Sequence, residues 1–93
     1  MTTQIKQQST YYSVSTSNDT LKLDGTFSMR DSRIENYYVN IHTTAGTIVG
    51  NANYGEYENG NVNYNYNIPA EYKVDVIALV DTSIADIKSE LSK

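Results

Sequence analysis

The chain has 93 residues, a length that suits one small domain with a modest core. It contains no cysteine, which excludes a disulfide framework and a thiolate metal site, and its 39% hydrophobic and 19% charged residues are typical of a folded domain. Residues 1–35 carry four basic and four acidic residues, so the whole net charge of −4 arises from residues 36–93, and this acidic balance disfavours direct binding of nucleic acid.

The N-terminal sequence MTTQIKQQST has no hydrophobic signal core, and no segment approaches the roughly 20 apolar residues of a membrane span. We therefore expect a cytoplasmic protein without membrane contact, although a mature secreted domain expressed without its signal would look the same. We interpret residues 1–9 as a flexible lead-in to a single domain that spans residues 10–93.

The first predicted hairpin joins TYYSVSTSND to LKLDGTFSM, a segment in which apolar residues alternate with polar ones. Asn18 and Asp19 are both favoured in tight turns, so we predict a two-residue turn there. This turn predicts three cross-strand pairs, which bring the apolar residues together on one face: Thr16 with Leu21, Val14 with Leu23, and Tyr12 with Gly25.

The second predicted hairpin lies within YYVNIHTTAGTIVGNANY and turns at Ala45 and Gly46, after a polar link RDSRIEN. Pairing outward from this turn gives four apolar-face pairs: Thr43 with Ile48, Ile41 with Gly50, Val39 with Ala52, and Tyr37 with Tyr54. The opposite face then carries Tyr38, Asn40 and His42, across from Asn53, Asn51 and Val49.

The last predicted hairpin surrounds the sequence ENGN. A two-residue turn there would place the apolar residues of NVNYNYNI on the wrong face, so we predict a three-residue loop at 59–61 or a bulge near Gly55. The loop pairs Tyr54 with Tyr66 and Ala52 with Ile68. The row of asparagines then forms the solvated face of an edge strand, and since asparagine is a poor strand former it tempers pairing with other chains.

These hairpins predict an α+β fold in which a five-stranded antiparallel meander presents one apolar face. Its predicted members are Tyr12, Val14, Leu21, Leu23, Phe27, Met29, Tyr37, Val39, Ile41, Ile48, Ala52, Tyr54, Tyr64, Tyr66 and Ile68. Such a face must be covered by another element, and the only segment left is the C-terminal one.

We predict that one helix from Pro69 to about Leu91 packs across this face, because Pro69 suits the first helical position and Glu71 the first turn. Residues at helical spacing define its expected packing face: Ala70, Val74, Ile77, Val80, Ile84, Ile87 and Leu91. The alternative makes residues 72–80, YKVDVIALV, a sixth strand, followed by a short helix after Asp81. If the long helix forms, Tyr72, Val76 and Leu79 make a second stripe, expected to be exposed at a partner or homodimer interface through the C-terminal helix.

No converging set of catalytic groups can be built from the sequence, so we expect neither an enzyme nor a cofactor or metal site. The single histidine, His42, lies on the polar sheet face, and Glu56 and Glu58 are interpreted as a charged hairpin tip rather than a calcium or glycosidase site. Exposed tyrosines among amide side chains can bind proteins or stack on sugars, although they can also simply pack across strands. The candidate partner-binding residues are therefore Tyr38, Asn40, His42, Asn51, Asn53 and Tyr57 on the sheet, with Tyr72, Val76 and Leu79 on the helix.

The hairpin region TFSMRDSRIENYYVNIHT and the terminal VDTSIADIKSEL resemble small accessory proteins from phages of Gram-positive bacteria, in which a Ser/Thr/Asn/Tyr-rich sheet ends in an amphipathic helix. The resemblance covers most of the chain but lies in its pattern, and it carries no catalytic residues. It implies a small acidic protein that acts in the host cytoplasm by binding a host or viral protein, for example to inhibit a defence system. The alternative is a carbohydrate- or surface-binding β module of a secreted or virion protein.

Overall fold

The computed structural model describes residues 2–7 and 11–91, which form a single antiparallel sheet and one C-terminal helix. The strands are β1 Thr2–Gln7, β2 Tyr12–Ser17, β3 Leu21–Arg30, β4 Arg33–Thr43, β5 Ile48–Glu56 and β6 Val62–Asn67. A 3-10 turn, Ala70–Tyr72, leads into helix α1, Lys73–Leu91. The sheet order is β1-β2-β3-β4-β5-β6, so the predicted α+β meander with a C-terminal helix is confirmed, with the six strands of the alternative.

The sixth strand is β1 at the N-terminus, whereas residues 72–80 are helical from Lys73 onward. Most of the predicted flexible lead-in is therefore strand, and only its residues 1 and 8–9 lie outside the described residues. The side chain of Ile5 packs against the core, and Thr3 Oγ1 donates a hydrogen bond to Asp86 Oδ2 of the helix at 2.7 Å. Because this polar strand has one apolar residue, its sequence shows almost no alternation of apolar and polar positions. Backbone pairing with β2 and the hydrogen bond from Thr3 to the helix hold β1 in place instead.

The first hairpin keeps its predicted apolar face, but its register differs by two residues. Val14 pairs with Gly25 and Tyr12 with Phe27, whose rings stack at 5.1 Å. The reason is Asn18, whose Oδ1 accepts hydrogen bonds from the backbone N–H groups of Thr20 and Leu21, both at 2.8 Å. Asparagine therefore takes the first position of the turn rather than its tip, which moves the turn along the chain by one residue.

The predicted polar link RDSRIEN is a tight hairpin between β3 and β4. Asp31 and Ser32 both have positive φ, 52° and 66°, as a type I′ turn requires, and β4 begins directly after them at Arg33. Ile34 is consequently a fully buried core residue that the sequence pattern missed. A bulge lies between the pairs Thr26–Tyr38 and Ser28–Glu35, and the extra residue is accommodated near Asn36, which has a φ of 56°.

The β4–β5 hairpin confirms the predicted pairs Ile41–Gly50, Val39–Ala52 and Tyr37–Tyr54. A register shift next to its turn pairs His42, rather than Thr43, with Ile48. The side chain of Ile48 is therefore 85% exposed, and its predicted place in the core is wrong. Tertiary register, and not hydrophobicity, decides the environment of this isoleucine.

The three-residue loop predicted between β5 and β6 exists but occupies residues 58–60, closed by a hydrogen bond from Tyr57 N to Asn61 O. Gly60 has a φ of 88°, the left-handed conformation that such loops favour. Tyr54 therefore pairs with Tyr64 and Ala52 with Tyr66, two residues away from the predicted register. The apolar face is preserved because a shift of two residues leaves the alternation unchanged.

The face that helix α1 turns to the sheet overlaps the predicted one only in part, since Val80, Ile84 and Ile87 are buried as predicted. Its buried residues are Val76, Leu79, Val80, Ser83, Ile84 and Ile87. Val74, expected on the packing face, is 79% exposed, whereas Val76 and Leu79 are fully buried. The predicted face is displaced because the polar Ser83 interrupts the apolar pattern, although it lies in the centre of the buried stripe.

Ser83 is buried because it accepts a hydrogen bond from Tyr37 Oη at 2.8 Å. Burial raises the pKa of Tyr37 to about 12, so the phenol remains the proton donor at neutral pH. We expect Ser83→Ala to lower the free energy of unfolding by about 1–3 kcal/mol, because it leaves the buried phenol unpaired. Urea unfolding measures this loss, and Ser89→Ala on the exposed side of the same helix serves as the control.

A double-mutant cycle with Tyr37→Phe separates this bond from simple packing. The double variant should lose less stability than the sum of the single variants, because neither polar group is then left alone. Equal losses in Ser83→Ala and Ser89→Ala would contradict the assigned bond.

Candidate functional site

The helix packs on one face of the sheet, and no helix of the described chain covers the other, which we call the outer face. Alternation places the side chains of Tyr38, Asn40 and His42 there, because Val39 and Ile41 are buried on the helix side. Asn53 and Asn51 of β5 lie beside them as the direct pairing partners of Tyr38 and Asn40. The five strand residues of the predicted binding patch thus share one face, and the sixth sheet residue, Tyr57, directly follows β5.

A concave region of about 900 Å³, the outer cavity, indents one end of this face. Tyr38, Asn53 and Tyr57 line it, and the tyrosine side chains are 40% and 55% exposed. Three of the predicted binding residues therefore converge on one concavity.

Two local features of the backbone shape the outer cavity. The bulge near Asn36 bends β4 at the cavity wall, as an extra residue in one strand does. Gly55 stands between Asn53 and Tyr57 on the outer face, and a Cβ added there would meet no atom within 4 Å. Because Gly55 has no side chain, space remains between the side chains of Asn53 and Tyr57.

The remaining side chains of the cavity include residues that the sequence interpretation missed, namely Arg30, Arg33 and Asn63. The arginines were placed in a polar link, so their outward direction on strands was not predicted. The positive φ values at Asp31 and Ser32 place them there, and the only sequence signal for that tight turn was the dipeptide Asp-Ser itself.

Carboxylates balance the positive charges of the cavity. Arg33 Nη2 lies 3.9 Å from both Asp31 Oδ2 and Glu58 Oε1, and Arg30 Nε lies 3.7 Å from Glu35 Oε1. Each pair is long and has one well-exposed partner, so these pairs contribute little to stability, but they leave the rim of the cavity with charges of both signs. Such a rim suits a polar protein surface better than a phosphate backbone.

His42 lies further along the outer face, where it is bound to two acceptors. Nε2 contacts Asp24 Oδ2 at 2.9 Å and Nδ1 contacts the carbonyl oxygen of Thr43 at 3.1 Å. Both ring nitrogens must carry a hydrogen to make both bonds, which selects the imidazolium form. The hydrogen bond to Asp24 accordingly raises the pKa of His42, and the bond to Thr43 adds to it.

Stability should depend on pH through this pair. Because the pKa of His42 is raised in the folded protein, protonation of His42 stabilises the fold. This stabilisation is fully present below the unfolded pKa of about 6.5 and is lost as pH rises through the folded pKa. Burial opposes the charge of Asp24, but the hydrogen bonds from His42 and Ser15 and the nearby Lys22 together lower its pKa. The contribution of Asp24 to stability is therefore lost as pH falls below about 4. We expect Asp24→Asn to lower the pKa of His42 in an NMR titration, and to destabilise the protein more at pH 5.5 than at pH 8.5.

Asp19→Asn makes the same charge change at an exposed turn residue and provides the control. An unchanged His42 titration in the Asp24→Asn variant would show that the bond does not govern this imidazole.

The helical part of the predicted binding set is not on the surface. Val76 and Leu79 are fully buried and Tyr72 is half-buried against the core. The expected exposed stripe is therefore corrected: in this fold it forms part of the contact between helix and sheet, because the stripe that includes Ser83 is the one that faces the core.

The two carboxylates of the ENGN hairpin point to different surroundings. The side chain of Glu58 is 88% exposed, whereas that of Glu56 is 9% exposed. The carboxylate of Glu56 accepts hydrogen bonds from Ile34 N at 2.8 Å and Tyr54 Oη at 2.5 Å. Its ion-pair partner is Lys88. Burial opposes the charge of Glu56, but these bonds together hold its pKa below the usual value. Glu56 thus anchors the C-terminal end of the helix to the sheet.

Within residues 2–7 and 11–91, no group of three or more His, Asp or Glu side chains is arranged to hold a metal ion. No helix in this part of the chain is long and apolar enough to cross a membrane. Comparisons with protein-family models, curated proteins and solved structures found no match to this chain. Its function must therefore be argued from the arrangement of its own residues.

Proposed function

We propose that this protein is a small non-enzymatic binding module that recognises another protein through the outer face of its sheet. The observation that carries this proposal is the convergence of Tyr38, Asn53 and Tyr57 on a concave region of about 900 Å³ in a face that no helix of the described chain covers. Tyrosine provides a large contact area at a small loss of conformational entropy, and amide groups provide adaptable hydrogen bonds.

The chemistry of the described residues also favours binding over catalysis. Both nitrogens of His42 are engaged by acceptors, so neither is free to accept a proton from a substrate. The carboxylate of Glu56 accepts hydrogen bonds from Ile34 and Tyr54 and pairs with Lys88, so it is not available as a general base.

The role class that we propose is that of a phage accessory protein that binds and inhibits a host protein, such as a component of a defence system. This part rests on the resemblance of the sheet and helix pattern to such proteins of phages of Gram-positive bacteria. The acidic net charge of −4 and the mixed charges at the cavity rim favour a protein partner over nucleic acid.

The test is an affinity capture from lysate of a Gram-positive host, followed by titration of each captured protein against purified chain. We expect the variant Tyr38→Ala/Tyr57→Ala to bind the captured partner at least tenfold more weakly, because aromatic residues dominate the energy of protein interfaces. Tyr11→Ala is the matched control, since Tyr11 is 44% exposed but does not line the cavity.

Undiminished binding by the double variant would place the interface elsewhere and overturn the assignment of the outer cavity. A glycan array distinguishes the alternative, a carbohydrate-binding module, because the same two tyrosines could stack on sugar rings. A saturable glycan signal, sensitive to the double variant and without any captured protein, would replace the protein-binding proposal.

A further inference from the structure

Among the residues that the structure describes, strand β6 pairs with β5 alone and so forms an edge of the sheet, and its helix-side residues are only partly covered. Val62 is 50% exposed and Tyr64 is 44% exposed, whereas Tyr37 and Tyr54 on the two preceding strands are buried. The cause is the position of α1, whose backbone lies closest to β1, β2 and β3. Its side chains reach β4 and β5 through Ser83 and Lys88, and the β6 side of the same face is left partly open. This edge therefore presents apolar side chains next to unpaired backbone groups.

The hydrogen bonding between β5 and β6 determines which backbone groups are free. Tyr57 N donates to Asn61 O, and antiparallel pairing alternates, so the asparagines of β6 direct their backbone groups toward β5. Val62, Tyr64 and Tyr66 consequently direct their N–H and C=O groups away from the sheet. Any added strand must pair with these three residues.

We propose that the partner at this edge is β6 of a second copy of the chain, in antiparallel pairing about a two-fold axis at Tyr64. In this register Tyr64 faces Tyr64 of the second copy, and Val62 faces Tyr66. All the outward N–H and C=O groups of Val62, Tyr64 and Tyr66 are then bonded. Both helices lie on the same side, and the two sheets become one continuous sheet.

The side chains are self-complementary in the same register. On the helix side the pairs are Tyr with Tyr and Val with Tyr, which are favourable cross-strand combinations, and on the outer face Asn63 meets Asn65. A shift by one residue would place tyrosines opposite asparagines and would direct the outward backbone groups past each other. A shift by two residues would keep the faces but would leave Val62 or Tyr66 opposite a residue outside β6, so the register centred on Tyr64 pairs the most backbone groups.

The charge distribution also favours a second copy. No charged residue occurs between Asn59 and Ala70, so this edge offers no charge by which to select a foreign peptide, whereas the opposite edge strand β1 carries Lys6. Each copy has a net charge of −4, so the copies repel each other except along this neutral strip. Dimerisation should therefore strengthen when salt screens the repulsion. It does not depend on the proposed binding role of the outer face.

Sedimentation equilibrium of the full chain over a concentration series tests the proposal. We expect a reversible dimer of the 10.4 kDa chain whose dissociation constant falls as salt is raised. Tyr64→Lys should raise that constant at least tenfold, because it places two like charges across the two-fold axis. Val74→Lys adds the same charge at an exposed helical site and should leave the constant unchanged.

Tyr64 also contacts Tyr54, with ring centroids 4.7 Å apart, so a second variant separates dimerisation from folding. Val62→Pro removes an N–H that points away from the sheet, and therefore weakens the dimer without removing a bond to β5. Circular dichroism verifies that this variant remains folded. A wild-type chain that stays monomeric, or a dimer broken by Val74→Lys but not by Val62→Pro, would overturn the proposal.

Discussion

Gly25→Ala is expected to lower the free energy of unfolding by about 3 kcal/mol or more, a large share of the roughly 5–14 kcal/mol expected for a domain of 93 residues. A Cβ at Gly25 would lie 1.7 Å from the carbonyl oxygen of Tyr38, which belongs to the backbone of the neighbouring strand. Neither atom can move without separating β3 from β4, the two strands at the centre of the sheet. Urea unfolding followed by circular dichroism measures the loss.

Gly55→Ala is the matched control, because a Cβ at Gly55 meets no atom within 4 Å and this glycine does not have a positive φ. Its expected effect is within about 0.5 kcal/mol, with a small gain from the reduced freedom of the unfolded chain. If the two alanine variants unfolded at the same urea concentration, the close approach of β3 and β4 would be disproved.

Leu79→Ala is expected to lower the free energy of unfolding by about 2–5 kcal/mol, the usual effect of removing a buried leucine side chain. Leu79 is fully buried between α1 and the sheet, although the periodicity of the sequence places it on an outer stripe. The measurement is again equilibrium unfolding, and the lost apolar contact should also lower the melting temperature.

A pair of valines on the same helix tests the phase of α1 directly. Val76 is fully buried and Val74 is 79% exposed, only two residues away. We expect Val76→Ala to destabilise the protein by about 2 kcal/mol, whereas Val74→Ala should stabilise it by a few tenths because alanine is the better helix former. The reverse order would support the helix face predicted from the sequence.

The faces of the strands could be predicted from the sequence, whereas their pairing could be predicted only in part. Val14, Leu23 and Tyr54 lie on the predicted apolar face and are buried. Two of the hairpins nevertheless differ from the predicted register by two residues, since the side chain of Asn18 and the loop at 58–60 determine where each chain turns. Alternation has a period of two and cannot detect such a shift.

The candidate site, too, could be predicted from the sequence only in part. The sequence placed Tyr38, Asn53 and Tyr57 on one polar face, and the structure brings them to one cavity. The sequence could not place Arg33 beside them, because the tight turn at Asp31 and Ser32 depends on positive φ values, which residues other than glycine rarely adopt. The helical candidates Val76 and Leu79 were assigned to a surface because Ser83 did not reveal its buried partner, Tyr37.

The sequence by itself determined the α+β class, the apolar side of each central strand, the change from a period of two to a helical period after Pro69, and the acidic second half of the chain. These properties are local, since they depend on neighbouring residues and on composition. Only the tertiary structure decided the N-terminal strand β1, the helix face that is buried, the position of the outer cavity and the uncovered edge at β6. Each of these depends on contacts between residues far apart in the chain, such as Thr3 with Asp86 and Tyr37 with Ser83, which no local pattern records.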